Sequence, residues 1–269
     1  MKYDPIKKRV GSVFNRTPFL RKLFYHLLNL LLLRSWHVRK ELRKIRPLLP
    51  DSPSILDAGS GFGQYDYTMA LQFPSSTITA VDIKQDQIDD CNNFFNRIGK
   101  SDRVKFEYGD LTRWSKPDTF DLALSVDVME HIEDDITVFR NLADSLKKGR
   151  FLIISTPSDM GGSDVHDDHE DSFIEEHVRD GYSIKDIESK LREAGFSTIE
   201  SRYSYGIPGK ISWKLSMKWP VMMAGSSKIM LILLPFYYIL VYPVCFVLNI
   251  IDTNIPHKTG TGLIVKCVK

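Results

Sequence analysis

Asp57, Gly59, Gly61 and Gly63 stand at alternate positions in the stretch ILDAGSGFGQ, residues 55–64. The apolar pair ahead of the acid predicts a buried strand, the glycines a tight turn, and the residues after them the start of a helix. Gly59 and Gly61 permit backbone angles closed to other residues and let a ligand approach the main chain. The helix start offers unpaired N–H groups. Asp57, at the end of the strand, can accept from an ammonium or hydroxyl group. A pyrophosphate site would want Gly-x-Gly-x-x-Gly. Here the third glycine comes one residue early, Gln64 takes its place, and Asp57 would repel the anion. The alternating run TITAVDI (77–83) ends on a second acid, Asp82, 82 − 63 = 19 residues beyond Gly63. A carboxylate at the end of a second strand can take both hydroxyls of a ribose. Ile83 beside it can cover one face of a base.

The elements that must position these residues alternate regularly. Strands are predicted at 53–56, 77–83, VKFEYGD (104–110), FDLALSV (120–126), FLIIST (151–156), FSTIESRYS (196–204) and GLIVKCVK (262–269). Helical spacing of apolar residues predicts helices between them. One carries Tyr65, Met69 and Phe73, and one carries Ile88, Cys91, Phe95 and Ile98 up to Gly99. Another carries Ile136, Phe139, Leu142 and Leu146 up to Gly149, and the last is capped by Ser183. Such alternation implies an α/β doubly wound, parallel sheet. Ligands of such sheets sit beyond the carboxyl ends of the strands. Asp57, Asp82, Asp110 and Ser125 all fall at predicted strand ends.

The acid–glycine turn resembles motif I of the class I S-adenosylmethionine-dependent methyltransferases. Gly109-Asp110-Leu111 is similar to that family's adenine-side loop, where an acid accepts from the exocyclic amine. FDLALSVDVMEHI (120–132) is similar to the segment that passes the cofactor's methionine portion and opens towards the substrate. The likeness covers roughly residues 51–205 and the last few residues. It implies S-adenosyl-L-methionine as cofactor, held by Asp57, Gly59, Gly61, Asp82, Ile83, Asp110, Leu111 and Ser125. It also implies a Rossmann-like seven-stranded sheet, mostly parallel, with the last strand antiparallel between the fifth and sixth. Methyl transfer is an in-line displacement in which the enzyme chiefly aligns the reactants, and an alcohol or phenol acceptor can also need a base. Glu130 and His131, after the fourth strand, are the catalytic candidates, and the loop 164–177 is expected to be a lid. Some relatives bind a divalent ion with Glu-x-x-Glu-His and a later histidine. Here Asp127 replaces the first Glu, His166 and His169 do not align, and no metal site is expected.

The chain's 269 residues fit one sizeable domain with additions. Cys91, Cys245 and Cys267 form no CxxC pair, which points to a reducing compartment. Residues 1–50 hold 13 Lys and Arg against Asp4 and Glu41, 13 − 2 = +11; the remainder is (36 − 13) − (34 − 2) = −9. A basic helical arm (1–50) on an acidic body favours an anionic membrane surface as partner. Nucleic acid is not expected, because the arm's aromatic residues lie among leucines, not among its bases. Residues 18–33 are apolar, lack a cleavage site and are short for a membrane span. Between the sixth and seventh strands, an insertion (206–261) carries an uncharged run, Ile229–Ile251, of 23 residues. Pro235 and Pro243 are expected to split it into pieces too short to cross a bilayer, leaving an interfacial segment or shallow hairpin. The expected organisation is a methyltransferase core (51–205) closed by a final strand (262–269). The expected protein is cytoplasmic, peripheral or monotopic on the inner face of the membrane. It would methylate an amphiphilic or lipid-linked small molecule. RNA or protein acceptors, and a non-catalytic module of the same fold, are the alternatives.

Overall fold

In the computed structural model, residues 17–161 and 178–269 are described. The expected lid at 164–177, with His166 and His169, and the first bases of the arm lie outside them. The strands are β1 (Ser54–Ala58), β2 (Thr77–Asp82), β3 (Val104–Tyr108), β4 (Phe120–Val126), β5 (Leu146–Pro157), β6 (Thr198–Ser204) and β7 (Gly262–Val268). They form one sheet in the order β3-β2-β1-β4-β5-β7-β6. β7 pairs antiparallel with both β5 and β6, and the other pairings are parallel. The topology reverses direction at β1/β4, so ligands are expected beyond their carboxyl ends.

β5 begins at Leu146, five residues earlier than its apolar run predicts. Phe120 pairs with Leu146, the register then shifts, and Leu122 pairs with Phe151. Gly149, expected to end a helix, lies inside this irregular start at φ +74 and donates to Lys269 O. The helix before it already ends at Ser145.

The helices are α1 (Pro18–Leu31), α2 (Leu33–Ile45), α3 (Gln64–Gln72), α4 (Gln85–Arg97), α5 (Asp135–Ser145), α6 (Ile184–Glu193), α7 (Ile207–Trp213), α8 (Trp219–Ser226) and α9 (Lys228–Asn254). Side chains of α3 are buried on several faces, among them Gln64, Asp66, Tyr67 and Met69, because α1 covers the side away from the sheet. The arm breaks at Leu32, which is extended (φ −84, ψ 111).

α1 is turned inside out. Its buried residues are Arg21, Tyr25 and Asn29, spaced four apart, while Phe19, Leu23, Leu27 and Leu30 face outwards with 73%, 40%, 38% and 39% of their surface exposed. The arm's charges are also partly consumed by the body. Arg21 pairs with Asp90, Arg34 with Asp127, and Lys40 donates to Thr253 O.

α7, a π-helical turn (Lys214–Lys218) and α8 run outwards, and α9 returns against them. The prolines do not split the return limb: α9 is one helix of 27 residues, with Pro235 and Pro243 inside it. Each proline costs about 3 kcal/mol in a helix interior, and bonds to the outgoing limb offset this along α9. Tyr237 and Tyr238 donate to the carbonyls of Leu215 and Ser216, both at 2.7 Å, in the π turn. Ser212 Oγ donates to Asn249 Oδ1 at 2.6 Å beyond the second proline. At the base, buried Asp252 accepts from His37 Nε2 (2.9 Å), Gly209 N (2.9 Å) and Tyr205 N (3.2 Å). Arg202 can only donate, so His37 accepts from it at Nδ1 and is the neutral imidazole, in keeping with the burial that pushes its pKa down. Ser204 and Pro157 both lie opposite Gly262, so the hairpin rises from the ligand-binding end of the sheet.

Candidate active site

The glycine turn is built from the backbone. Gly59 N and Ser60 N donate to Val81 O at 2.8 and 3.1 Å, tying the end of β1 to β2. Gly59, Gly61 and Gly63 have φ of +85, +54 and +81. A Cβ on Gly59 would lie 2.2 Å from a methyl of Val128, the residue after Asp127 at the exit of β4; one on Gly61 would meet nothing nearer than Gln87 Oε1 at 3.8 Å. Gly59 is therefore demanded by packing, while Gly61 leaves an open approach to the main chain.

Asp82 accepts at Oδ2 from Gly61 N (2.8 Å) and at Oδ1 from Lys84 N (2.9 Å). It shapes the turn and caps the next segment, and each oxygen keeps lone pairs for a diol. Ile83 beside it is 60% exposed, free to cover a flat ligand. Asp110 accepts from the backbone and hydroxyl of Thr112 (2.9 and 2.7 Å), which holds its carboxyl below the usual carboxylate range. Leu111 is buried in the core, its carbonyl fixed by Asn141. A recess beside β3 is lined by Tyr108, Gly109, Asp110, Arg113 and Trp114.

Asp57 and Ser125 end β1 and β4, and both are buried. Among the described residues, Ser125 Oγ and Ser60 Oγ have no hydrogen-bond partner, and the buried carboxyls of Asp57 and Asp66 meet each other, bridged by a proton on one of them, with no other donor to Asp57 Oδ2 or Asp66. Buried polar atoms are rarely left so. Such a cluster at strand ends, beside an open glycine, fits a ligand that brings an ammonium and hydroxyl groups. Asp66 was not singled out by periodicity: it lies three residues past Gly63, on a helix whose outer side would be solvated without α1.

The strand-four exit is held by a clamp that the sequence did not reveal. Asp127 has φ +53 and pairs with Arg34 of the arm. Buried Tyr182 donates to Asp135 at 2.6 Å and to Met129 O at 3.2 Å. Arg179 and Lys190 also pair with Asp135, and Arg179 donates to Ile132 O and Glu133 O. The two catalytic candidates differ in burial. Glu130 is buried, accepts from Thr156 Oγ1 at 3.1 Å, and has its carboxyl pushed up by burial. His131 is exposed. Among the described residues no His, Cys, Asp and Glu group is arranged to hold a metal.

A family model described as a methyltransferase domain matches residues 33–201. Phosphoethanolamine N-methyltransferase 1 of Arabidopsis thaliana is 31% identical over 162 residues, 56% of this chain and 30% of that protein. The chain thus spans less than a third of that relative. A malonyl-acyl-carrier-protein O-methyltransferase of Paenibacillus is 28% identical over 156 residues, 55% of this chain and 56% of that one. Among solved structures, a Haemonchus contortus phosphoethanolamine N-methyltransferase 2 has the same fold. That protein, solved with phosphomonomethylethanolamine and S-adenosylhomocysteine, superposes with a TM-score of 0.59 at 20% identity, covering 85% of this chain and 51% of that one.

Proposed function

Since this chain belongs to the methyltransferase-domain family, whose cofactor is S-adenosylmethionine, we propose that it methylates an amphiphilic or lipid-linked small molecule at a membrane surface. The observation that carries this reading is the α7–α9 hairpin. It rises from the sheet end that bears Asp57, Asp82 and Ser125, and much of its apolar surface is open: Ile232, Phe236, Ile239 and Leu240 are exposed. Exposed apolar area on this scale marks an interaction site. At about 1.5 Å per residue, α9 is about 40 Å long, enough to reach across a hydrocarbon core of about 30 Å. The limbs nevertheless return to one sheet, which favours a hairpin entered from one side over a crossing.

When bound, the cofactor supplies an electrophilic methyl group. In this reading Asp57 and Ser125 hold its amino-acid end, Asp82 its ribose, and Ile83, Asp110 and Leu111 its base. His131 is the group that takes a proton from the acceptor. Glu130, turned inwards to Thr156, acts by fixing the turn that carries His131. His131→Ala is expected to lower turnover by about a hundredfold or more, within the about 10²–10⁴-fold range of general bases, with S-adenosylmethionine affinity nearly unchanged. Equal losses in both would return His131 to a purely structural role.

The acceptor class is tested by comparing lipid extracts of cells with and without the protein. A species one methylene lighter should accumulate in the deficient cells; an unchanged extract with undermethylated RNA or protein would favour a macromolecular acceptor. The topology is tested in sealed vesicles with Ile207→Cys and Lys258→Cys, which flank the hairpin. Both should label from the same side. Labelling from opposite sides would make α9 a crossing, incompatible with β6 and β7 in one sheet.

A further inference from the structure

The polar face of α1 lies on the cofactor turn. Phe62 O, inside that turn, accepts from Arg21 Nη2 at 3.0 Å and from Tyr25 Oη at 2.5 Å. Arg21 reaches on to Asp90 of α4 at 2.5 Å. The rings of Tyr25 and Phe62 stack at 6.2 Å. Asn29 donates to Thr68 Oγ1 at 3.0 Å and accepts from Gln64 Nε2 at 2.9 Å, and Gln64 also donates to Ser35 Oγ at 3.0 Å. The turn and the first helix behind it are thus gripped from the side opposite the sheet. Arg34, just past the elbow, grips the strand-four exit through Asp127.

The other face of α1 is apolar and exposed, and it continues into the hairpin. Tyr242 of α9 donates to Leu30 O at 3.2 Å, and the ring of Trp36 meets that of Phe246 edge-on at 5.2 Å. These contacts exist with α1 docked. A surface that takes up the apolar faces of α1 and α9 together therefore favours the docked arm. Arg21, Arg34 and Lys40 are engaged with the body, and the bases that remain among the first 50 residues give that surface a sign: negative.

We infer that α1 couples the two surfaces: an anionic bilayer engaging Phe19, Leu23, Leu27 and Leu30 holds Arg21 and Tyr25 on the cofactor turn and Asn29 on the helix behind it, so bilayer and cofactor bind with positive cooperativity. The inference rests on the membrane reading above. Arg21, Tyr25 and Asn29 are positioning residues in this scheme. A docked arm presets the turn, so less of the cofactor's binding free energy goes into ordering it. Linkage makes the effect reciprocal: whatever factor the bilayer adds to cofactor affinity, the cofactor adds to bilayer affinity.

The test uses the full chain with S-adenosylhomocysteine, which binds without turnover, and vesicles of phosphatidylglycerol and phosphatidylcholine. Calorimetry should show S-adenosylhomocysteine binding at least about fivefold tighter on the vesicles, the low end of measured couplings. Co-sedimentation should show the same factor for vesicle binding when S-adenosylhomocysteine is added. Leu23→Ser, Leu27→Ser and Leu30→Ser together leave the polar face intact. This variant should keep the solution affinity for S-adenosylhomocysteine and lose the tightening. Vesicle binding without tightening would overturn the coupling and leave the membrane reading standing. Tightening retained in the triple variant would overturn the role of α1. No vesicle binding under any condition would overturn both.

Discussion

Gly59→Ala is expected to reduce S-adenosylmethionine affinity by at least thirtyfold. The position has φ +85, and a Cβ would stand 2.2 and 2.9 Å from the two methyls of Val128. A left-handed residue with a side chain costs about 1–2 kcal/mol, and overpacking costs about 1–3 kcal/mol more. The sum, about 2–5 kcal/mol, corresponds to about thirtyfold or more in a binding constant if it falls on the turn that receives the cofactor. The neighbouring Gly61→Ala carries the backbone penalty without a clash, since its Cβ would meet nothing within 3.8 Å. It should lose less. Val128→Ala in the Gly59→Ala background should restore part of the loss, because the two side chains compete for one space. Calorimetry on the three variants, with thermal unfolding alongside, measures this. Wild-type affinity in Gly59→Ala would remove the turn from the cofactor site.

The inner strands of the sheet were legible in the sequence because each announces itself twice. Apolar runs such as LALSV and FLII are buried on both faces, and polar or glycine residues close them at the ligand end. The order of strands was not written in periodicity. Placing β7 between β5 and β6 came from the family likeness, and β7 does pair antiparallel with both. The early start of β5 was hidden because LKKGR carries charge and a glycine; its pairing with Phe120 is made by the backbone.

The arm was harder to read, for a physical reason. A leucine-rich helix is ordinarily taken to bury its leucines. Here the body offers α1 a polar turn and a buried carboxamide network, so Arg21, Tyr25 and Asn29 go inwards. Nothing within residues 18–33 announces this, because the partners lie at positions 62–68 and 90. Likewise Arg34 and Asp127 are 93 residues apart (127 − 34) and meet through the elbow at Leu32. In α9, proline counts against a helix locally, and the tyrosine hydroxyls that bridge the limbs are visible only once the hairpin is closed.

Binding of the cofactor is expected to release a proton at pH 6. Asp57 and Asp66 are neighbouring buried carboxyls hydrogen-bonded to each other. Burial pushes Asp57 up to about 7 although the hydrogen bond from Asp66 pulls it down, with Asp82 adding to the rise, and burial with the charge and hydrogen bond of Asp57 pushes Asp66 up well above the usual range. The folded chain therefore holds protons that the unfolded chain, with carboxyls near about 4, has lost. Stability from these groups is fully present below about pH 4 and is lost as pH rises through about 7. The ligand-free protein should thus unfold at a lower temperature at pH 8 than at pH 6, and Asp66→Asn should flatten that slope. An ammonium set against Asp57 favours the carboxylate and expels the proton. Titrations of S-adenosylmethionine at pH 6, in buffers of different ionisation enthalpy, should give heats that vary with the buffer. Asp57→Asn should abolish that variation and weaken binding by about 1.5–3 kcal/mol, the range for a hydrogen bond to a charged group. Heats independent of buffer in the wild type would mean that Asp57 is already ionised before the cofactor arrives, and the amino-acid end would then have to be held elsewhere.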